Sequence, residues 1–71
     1  IKCYPNPSKD RFIIESNANY KYSVYASDGL LVAEGNGNDL YAEFGNKLVK
    51  GIYTLKLETG GEHKVLKLVK E

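Results

Sequence analysis

Apolar and polar residues alternate along short runs of this chain, and turn residues interrupt the runs at intervals of roughly eight to twelve positions. The run Tyr20–Ala26 is the clearest, because Tyr20, Tyr22 and Val24 fall on one face with polar residues between them. Successive side chains of a β-strand point to opposite faces, so this pattern predicts half-buried strands. A helix would repeat its apolar residues every three to four positions instead.

The pattern predicts about seven strands, a number compatible with a β-sandwich. They are a short strand near Cys3 and Tyr4 and the runs at residues 11–15, 20–26, 30–34, 40–44, 52–58 and 63–70. Residues 4–10, with two prolines, are predicted to form an extended lead-in or a turn. Turns or loops are predicted at residues 16–19, 27–29, 35–39, 45–51 and 59–62. Asp28-Gly29 is typical of a hairpin, because Gly adopts the positive φ of a tight turn. The last run also fits a helical stripe, but its β-branched residues and the preceding Gly60-Gly61 favour a strand.

These strands predict an all-β fold, an immunoglobulin (Ig)-like antiparallel β-sandwich of about seven short strands. Trp is absent and Cys3 is the single cysteine, so the likeness to Ig domains concerns architecture alone. A chain of 71 residues makes one domain, residues 1–71. Its free energy of unfolding is expected to be small, since a chain of this size buries only about 60% of the surface that it exposes when unfolded. The chain contains no Met and begins with Ile, from which we expect a fragment of a longer polypeptide.

Charge and composition argue against several function classes. The net charge of +1 lacks the basic footprint of a nucleic-acid-binding protein. No apolar stretch approaches the roughly 20 residues that span a bilayer, so membrane insertion is not expected. Cys3 has no second cysteine for a disulfide, and together with His63 it falls short of the roughly four ligands of a structural zinc site.

Candidate chemistry is sparse. Cys3 and His63 are residue types that act as nucleophile and base, but a domain this small can hardly build a pocket as well as a core. We therefore interpret Cys3 as a small apolar side chain and His63 as an exposed residue beside the Gly-Gly turn. Residues 36–39 resemble part of a calcium loop but lack the full ligand series, and are interpreted as a polar loop. The sequence predicts no catalytic residue, no metal site and no cofactor, and hence no enzyme.

Two residue types leave alternatives open. The six tyrosines could form a sugar-binding face, but Tyr20, Tyr22 and Tyr53 are at positions predicted to point inward, which favours a core role. The lysines of the last two strands could block edge-to-edge aggregation, or a receptor could recognise the terminal strand by β-strand addition. These lysines are Lys56, Lys64, Lys67 and Lys70.

Several short motifs recur in one order along nearly the whole chain. They are Tyr4-Pro5-Asn6-Pro7 at the start, Val24-Tyr25 and Gly29-Leu30-Leu31-Val32 in the centre, Gly51-Ile52-Tyr53 with Leu55-Lys56-Leu57 later, and Lys67-Leu68-Val69-Lys70 at the end. In this order and spacing the chain resembles the C-terminal sorting domain of the type IX (Por) secretion system of Bacteroidetes, in its type A form.

The resemblance implies an Ig-like sandwich at the C-terminus of a secreted precursor, where it serves as a folded, non-catalytic secretion signal. Cargo of this kind passes through the periplasm and reaches the cell surface or the medium. The implied partners are an outer-membrane translocon, which recognises the domain, and a sortase-like cysteine protease, which often removes it. The cargo domain would precede it in the same chain.

The terminal strand, from Val65 to Lys70, is our candidate for the main recognition element. The motif residues Pro5, Asn6, Pro7, Gly29, Gly51, Tyr53, Lys67, Leu68, Val69 and Lys70 form the candidate site. Two other hypotheses stay open: an Ig-like accessory module that is retained on a larger secreted enzyme, and a carbohydrate-binding module.

Overall fold

The computed structural model describes residues 2–37 and 41–71 and contains seven antiparallel strands. The strands are β1 (Lys2–Tyr4), β2 (Phe12–Glu15), β3 (Tyr20–Ala26), β4 (Leu31–Gly37), β5 (Tyr41–Phe44), β6 (Gly51–Thr59) and β7 (His63–Lys70). The predicted bounds of β3 and β7 are confirmed. Strand β2 begins one residue later than predicted, and β6 is longer than predicted by one residue at each end. In the described ranges, no helix has the length and apolarity to cross a bilayer.

The strands form two sheets, one with the order β1-β2-β5 and one with the order β4-β3-β6-β7. Every pair of neighbouring strands is antiparallel. The orders β1-β2-β5 and β3-β6-β7 correspond to strands A-B-E and C-F-G of an Ig domain. The fourth strand lies beside β3 here, whereas a constant-type Ig domain places it beside strand E. The all-β sandwich predicted from the sequence is confirmed.

Alternate residues of both sheets meet in one apolar core. Its buried members are Phe12, Ile14, Tyr20, Val24, Phe44, Tyr53, Leu55, Leu57 and Leu68. The Phe12 and Phe44 rings stack with centroids 5.6 Å apart, and the Tyr22 ring lies 5.1 Å from Phe44. The first contact lies within the three-stranded sheet, and the second joins the two sheets. The quadrupoles of aromatic rings favour such offset and tilted geometries.

The tyrosines predicted to point inward do so. Tyr20 is 3% exposed, Tyr53 is 5% exposed, and Tyr22 is half-buried against the core. Tyr4 and Tyr25 are half-buried as well. Among the tyrosines whose side chains are described, none is exposed as a sugar-stacking platform would require. This arrangement favours the core role over the carbohydrate-binding role.

The prediction of a loop over residues 35–39 is wrong for Gly35–Gly37, which belong to β4. Gly35 lies opposite Tyr22 and Gly37 lies opposite Tyr20. A Cβ on Gly37 would come within 2.2 Å of the Tyr20 ring, and one on Gly35 within 2.8 Å of the Tyr22 ring. Strand glycines with no side chain of their own therefore make room for two large rings. The rest of the predicted loop, and Leu40 of the predicted fifth strand, lie outside the described residues.

We expect Gly37→Ala to lower the free energy of unfolding by about 1–3 kcal/mol, because the added methyl forces the Tyr20 ring out of its place. Gly60→Ala is the matched control, since a Cβ there meets nothing within 4 Å. Urea unfolding of the two variants measures the difference. Equal stabilities would show that the tyrosine–glycine packing is not a constraint on this fold.

Candidate functional site

The terminal strand β7 lies at the edge of the four-stranded sheet and pairs with β6 alone among the strands. Its register runs from Glu58↔His63 to Gly51↔Lys70 without a shift. In an antiparallel ladder, residues that bond the neighbouring strand alternate with residues whose N–H and C=O point away from it. Residues 64, 66, 68 and 70 face β6, and residues 63, 65, 67, 69 and 71 turn their backbone groups outward.

Residues 5–8, here called the proline segment, lie along the outer side of β7. The Ser8 N–H donates to the Val69 carbonyl at 2.9 Å, and the Glu71 N–H donates to the Ser8 carbonyl at 2.7 Å. These two bonds form a parallel bridge between Ser8 and Lys70. The edge of β7 is therefore paired by backbone at its C-terminal end.

The Asn6 side chain continues this pairing two residues earlier. Its Nδ2 donates to the Lys67 carbonyl at 2.7 Å, and its Oδ1 accepts from the Val69 N–H at 2.9 Å. The carboxamide thus bonds one backbone C=O and one backbone N–H, those of the two residues that flank Leu68. The Ser8 backbone bonds the C=O and the N–H of the two residues that flank Lys70 in the same way. Pro5 and Pro7, both in cis peptide bonds, carry no N–H that a further strand could use.

We call residues 67–70, together with Glu71 after the strand, the covered half of β7. Four of their outward backbone N–H and C=O groups are bonded by Asn6 and Ser8. The sequence placed Asn6 and the terminal lysine motif in one candidate site without placing them in contact. The structure brings them together across a separation of more than sixty residues. Ser8 was missed. The spacing of the prolines could have indicated Ser8. Pro5 and Pro7 have no N–H to donate, so Asn6 and Ser8 are the residues of this segment that can donate hydrogen bonds to a neighbouring strand.

Lys70 is buried and holds the end of the sandwich together. It is 5% exposed, and its Nζ donates to the carbonyls of Asp10 and Gly45. Ser8 fixes the same turn, since its Oγ donates to the Arg11 carbonyl at 2.7 Å and accepts from the Asp10 N–H. Charge-assisted hydrogen bonds of this kind are stronger than neutral ones.

The interpretation of Lys70 as an edge lysine is therefore wrong. Its side chain points to the same side of the sheet as Leu68 and ends among carbonyl oxygens, so it presents no charge at the edge. Lys64 and Lys67 are exposed on the edge strand β7, as the interpretation requires. Lys56 is exposed too, but it lies on β6, between β3 and β7, so it is not an edge lysine.

The remaining motif residues shape the sheet around β7. Tyr53 lies opposite the fully buried Leu68, and its hydroxyl donates to the Val49 carbonyl at 2.6 Å. Gly51 begins β6 opposite Lys70, so the prediction that it belongs to the connection is wrong. A Cβ there would make ordinary contacts with the Tyr53 ring. Steric room therefore does not require a glycine at this position.

Gly29 closes the β3–β4 hairpin. Its N–H donates to the Ala26 carbonyl at 2.9 Å, its φ is +88°, and Asp28 Oδ1 accepts from the Leu30 N–H at 3.1 Å. The predicted hairpin is confirmed. It has a three-residue loop in which Gly occupies the left-handed position.

Cys3 and His63, the residues with candidate chemistry, lie on strands of different sheets. Burial raises the pKa of the Cys3 thiol to about 11, so the thiol stays protonated at neutral pH and is a poor nucleophile. His63 is exposed, with its Nδ1 3.9 Å from a Glu58 carboxylate oxygen. Within residues 2–37 and 41–71, no three His, Cys, Asp or Glu side chains are grouped as metal ligands would be.

We expect Asn6→Ala to lower the free energy of unfolding by about 1–2 kcal/mol, because two hydrogen bonds worth roughly 0.5–1.5 kcal/mol each are lost. Asn17→Ala, in the exposed β2–β3 turn, is the control, and urea unfolding of both variants is the measurement. If both substitutions had the same effect, the Asn6 carboxamide would not contribute to the stability of the terminal strand.

Comparison with known protein families finds one family model that matches nearly the whole chain. Residues 2–71 match the family model described as the secretion system C-terminal sorting domain of the Por system. Among curated proteins, none matches the chain significantly. The match covers every strand, including the proline segment and β7. This chain therefore belongs to the family of secretion system C-terminal sorting domains and is the non-catalytic sorting domain of a type IX secretion cargo.

Proposed function

We propose that the outer-membrane translocon of the type IX system recognises this domain at β7 and the proline segment. Membership of the family implies recognition by the secretion system and export of the cargo to the cell surface or the medium. The finer statement, that the translocon contacts this edge and that a sortase-like protease later removes the domain, is the proposal. The domain spans residues 1–71 and follows its cargo in the precursor.

One observation carries the proposal: the first and last motifs of the chain form one surface through the hydrogen bonds of Asn6 and Ser8 to β7. Such a surface exists only when both ends of the domain are folded. A receptor that binds it would distinguish a completed cargo precursor from an incomplete one.

The exposure of the candidate site residues separates those that position β7 from those that a receptor can reach. Leu68, Tyr53 and Lys70 are buried, so we assign them to positioning β7. Pro5, Asn6, Pro7 and Lys67 are exposed, so a receptor can reach them. Gly29 and Gly51 shape the turn and the strand beside them, and Val69 is half-buried on the outer face.

Deletion of residues 66–71 from a precursor is expected to abolish export. A reporter enzyme is fused ahead of the domain in a host with a working type IX system, and its activity is measured in the medium and in the periplasm. Because the deletion removes the buried Leu68 and Lys70, an intact-length control measures the effect of instability alone. The control is Val24→Ala, a fully buried core residue on β3, which does not pair with β7.

We expect the deletion to retain the reporter in the periplasm and the Val24→Ala variant to be exported at least in part. Full export of the deleted precursor would contradict it. Mass spectrometry of the exported reporter tests the protease step, since the processed product lacks the domain. A product that keeps the domain would favour the retained accessory module.

A further inference from the structure

We propose that the uncovered half of β7 binds an extended, acidic segment of a partner protein as an added β-strand. We call residues 63–67 the open half of β7; the C=O of Lys67 belongs to the covered half, and its N–H belongs to the open half. The inference rests on the proposed function, because it specifies how the recognition edge would engage its receptor.

The alternation along β7 supplies the backbone groups. The Val69 and Glu71 N–H groups and the Lys67 and Val69 carbonyls point away from β6 and are bonded by the proline segment. The same alternation turns the N–H and C=O of Val65 and the N–H of Lys67 into the space beyond the sheet edge. Groups in this arrangement are a template for strand addition.

The proline segment sets the limit of the contact. Asn6 occupies the edge from the Lys67 carbonyl onward, and Pro5 and Pro7 offer no donor to a strand that approached from outside. At the other end, the Thr59 N–H bonds the Glu62 carbonyl and closes the β6–β7 hairpin. A partner strand therefore fits between His63 and Lys67, and this limit fixes its register.

Side chains of the open half define the partner. Val65 is 62% exposed on the outer face, and Leu66 is half-buried on the opposite face. Lys64 and Lys67 are exposed on either side of this apolar pair, and Lys56 lies opposite Val65 on β6. Cross-strand pairs favour apolar beside apolar and opposite charges beside each other. The partner segment is thus two adjacent apolar residues flanked by Asp or Glu.

The opposite edge of the same sheet has different chemistry. β4 carries exposed Leu31 and Val32 and the acidic Glu34, and it has no lysine between Leu31 and Gly37. Two copies of this chain could in principle pair β4 with β7, so self-association is an outcome that the test must separate from binding of a partner.

The probe is a short capped peptide with two central valines, a glutamate directly on each side of them and a threonine outside each glutamate. It is compared with the same peptide in which lysines replace the glutamates. Chemical-shift titration of the labelled domain should show binding of the glutamate peptide, with changes at residues 63–67, and markedly weaker binding of the lysine peptide. Size-exclusion chromatography of the domain alone measures self-association.

Two substitutions test the contact. Val65→Pro removes an outward N–H and no bond to β6, and should weaken binding more than tenfold. Lys67→Glu reverses one flanking charge and should weaken binding about fivefold, whereas Lys50→Glu, on the exposed β5–β6 connection, should change it less than twofold. Urea unfolding confirms that each variant is folded. If Val65→Pro does not fold, the Lys67→Glu and Lys50→Glu pair decides alone.

The inference would be overturned if the unmodified domain, Lys67→Glu and Lys50→Glu bound the glutamate peptide equally well. It would also be overturned if the glutamate peptide did not bind. A concentration-dependent dimer that Val65→Pro abolishes would assign the edge to a second copy and overturn it as well. The reporter fusion distinguishes failure of the strand addition from failure of the proposed function. If export is lost on deletion of residues 66–71 but is normal in Lys67→Glu and Val65→Pro, the proposed function stands and the strand addition fails.

Discussion

The hydrogen bonds from Asn6 and Ser8 to the outer edge of β7 connect the two ends of the chain. A strand at a sheet edge exposes a row of backbone groups that other chains can pair with. Here the beginning of the chain covers half of that row. The proline segment leaves β1 in one sheet and reaches β7 in the other, so it joins the two sheets as a disulfide would in other small domains.

Lys70 shows how the two ends of the chain support each other. Its ammonium group bonds carbonyls of the turn after the proline segment and of the connection after β5. The aliphatic stem lies beside the core, in the manner of long charged side chains that keep a polar tip solvated or paired. For a sorting signal, this architecture means that the terminal strand is correctly placed only in a completely folded domain. The open half then remains as a short, basic and apolar strand edge.

Local sequence patterns predicted much of this fold, because period-two alternation and turn chemistry act over a few residues. The bounds of β3 and β7 and the Asp28-Gly29 hairpin follow from them. The extension of β4 through Gly37 does not follow from local patterns, since glycine has low strand propensity. Gly37 makes room for the ring of Tyr20, which lies opposite it on β3, and this pairing is not visible in the local sequence. The buried Lys70 and the Asn6 contact could not be predicted either, because both depend on pairing between the two ends of the chain.

Amide hydrogen exchange of Val65 and Val69 in the unmodified domain measures whether Asn6 covers one half of the β7 edge and leaves the other half open. Both valines lie in β7 with their N–H groups turned away from β6, and Val69 donates to Asn6 whereas Val65 faces the open half. The account predicts that the Val69 amide is protected and that the Val65 amide exchanges much faster under native conditions. Equal exchange rates for the two amides, or faster exchange at Val69, would contradict it.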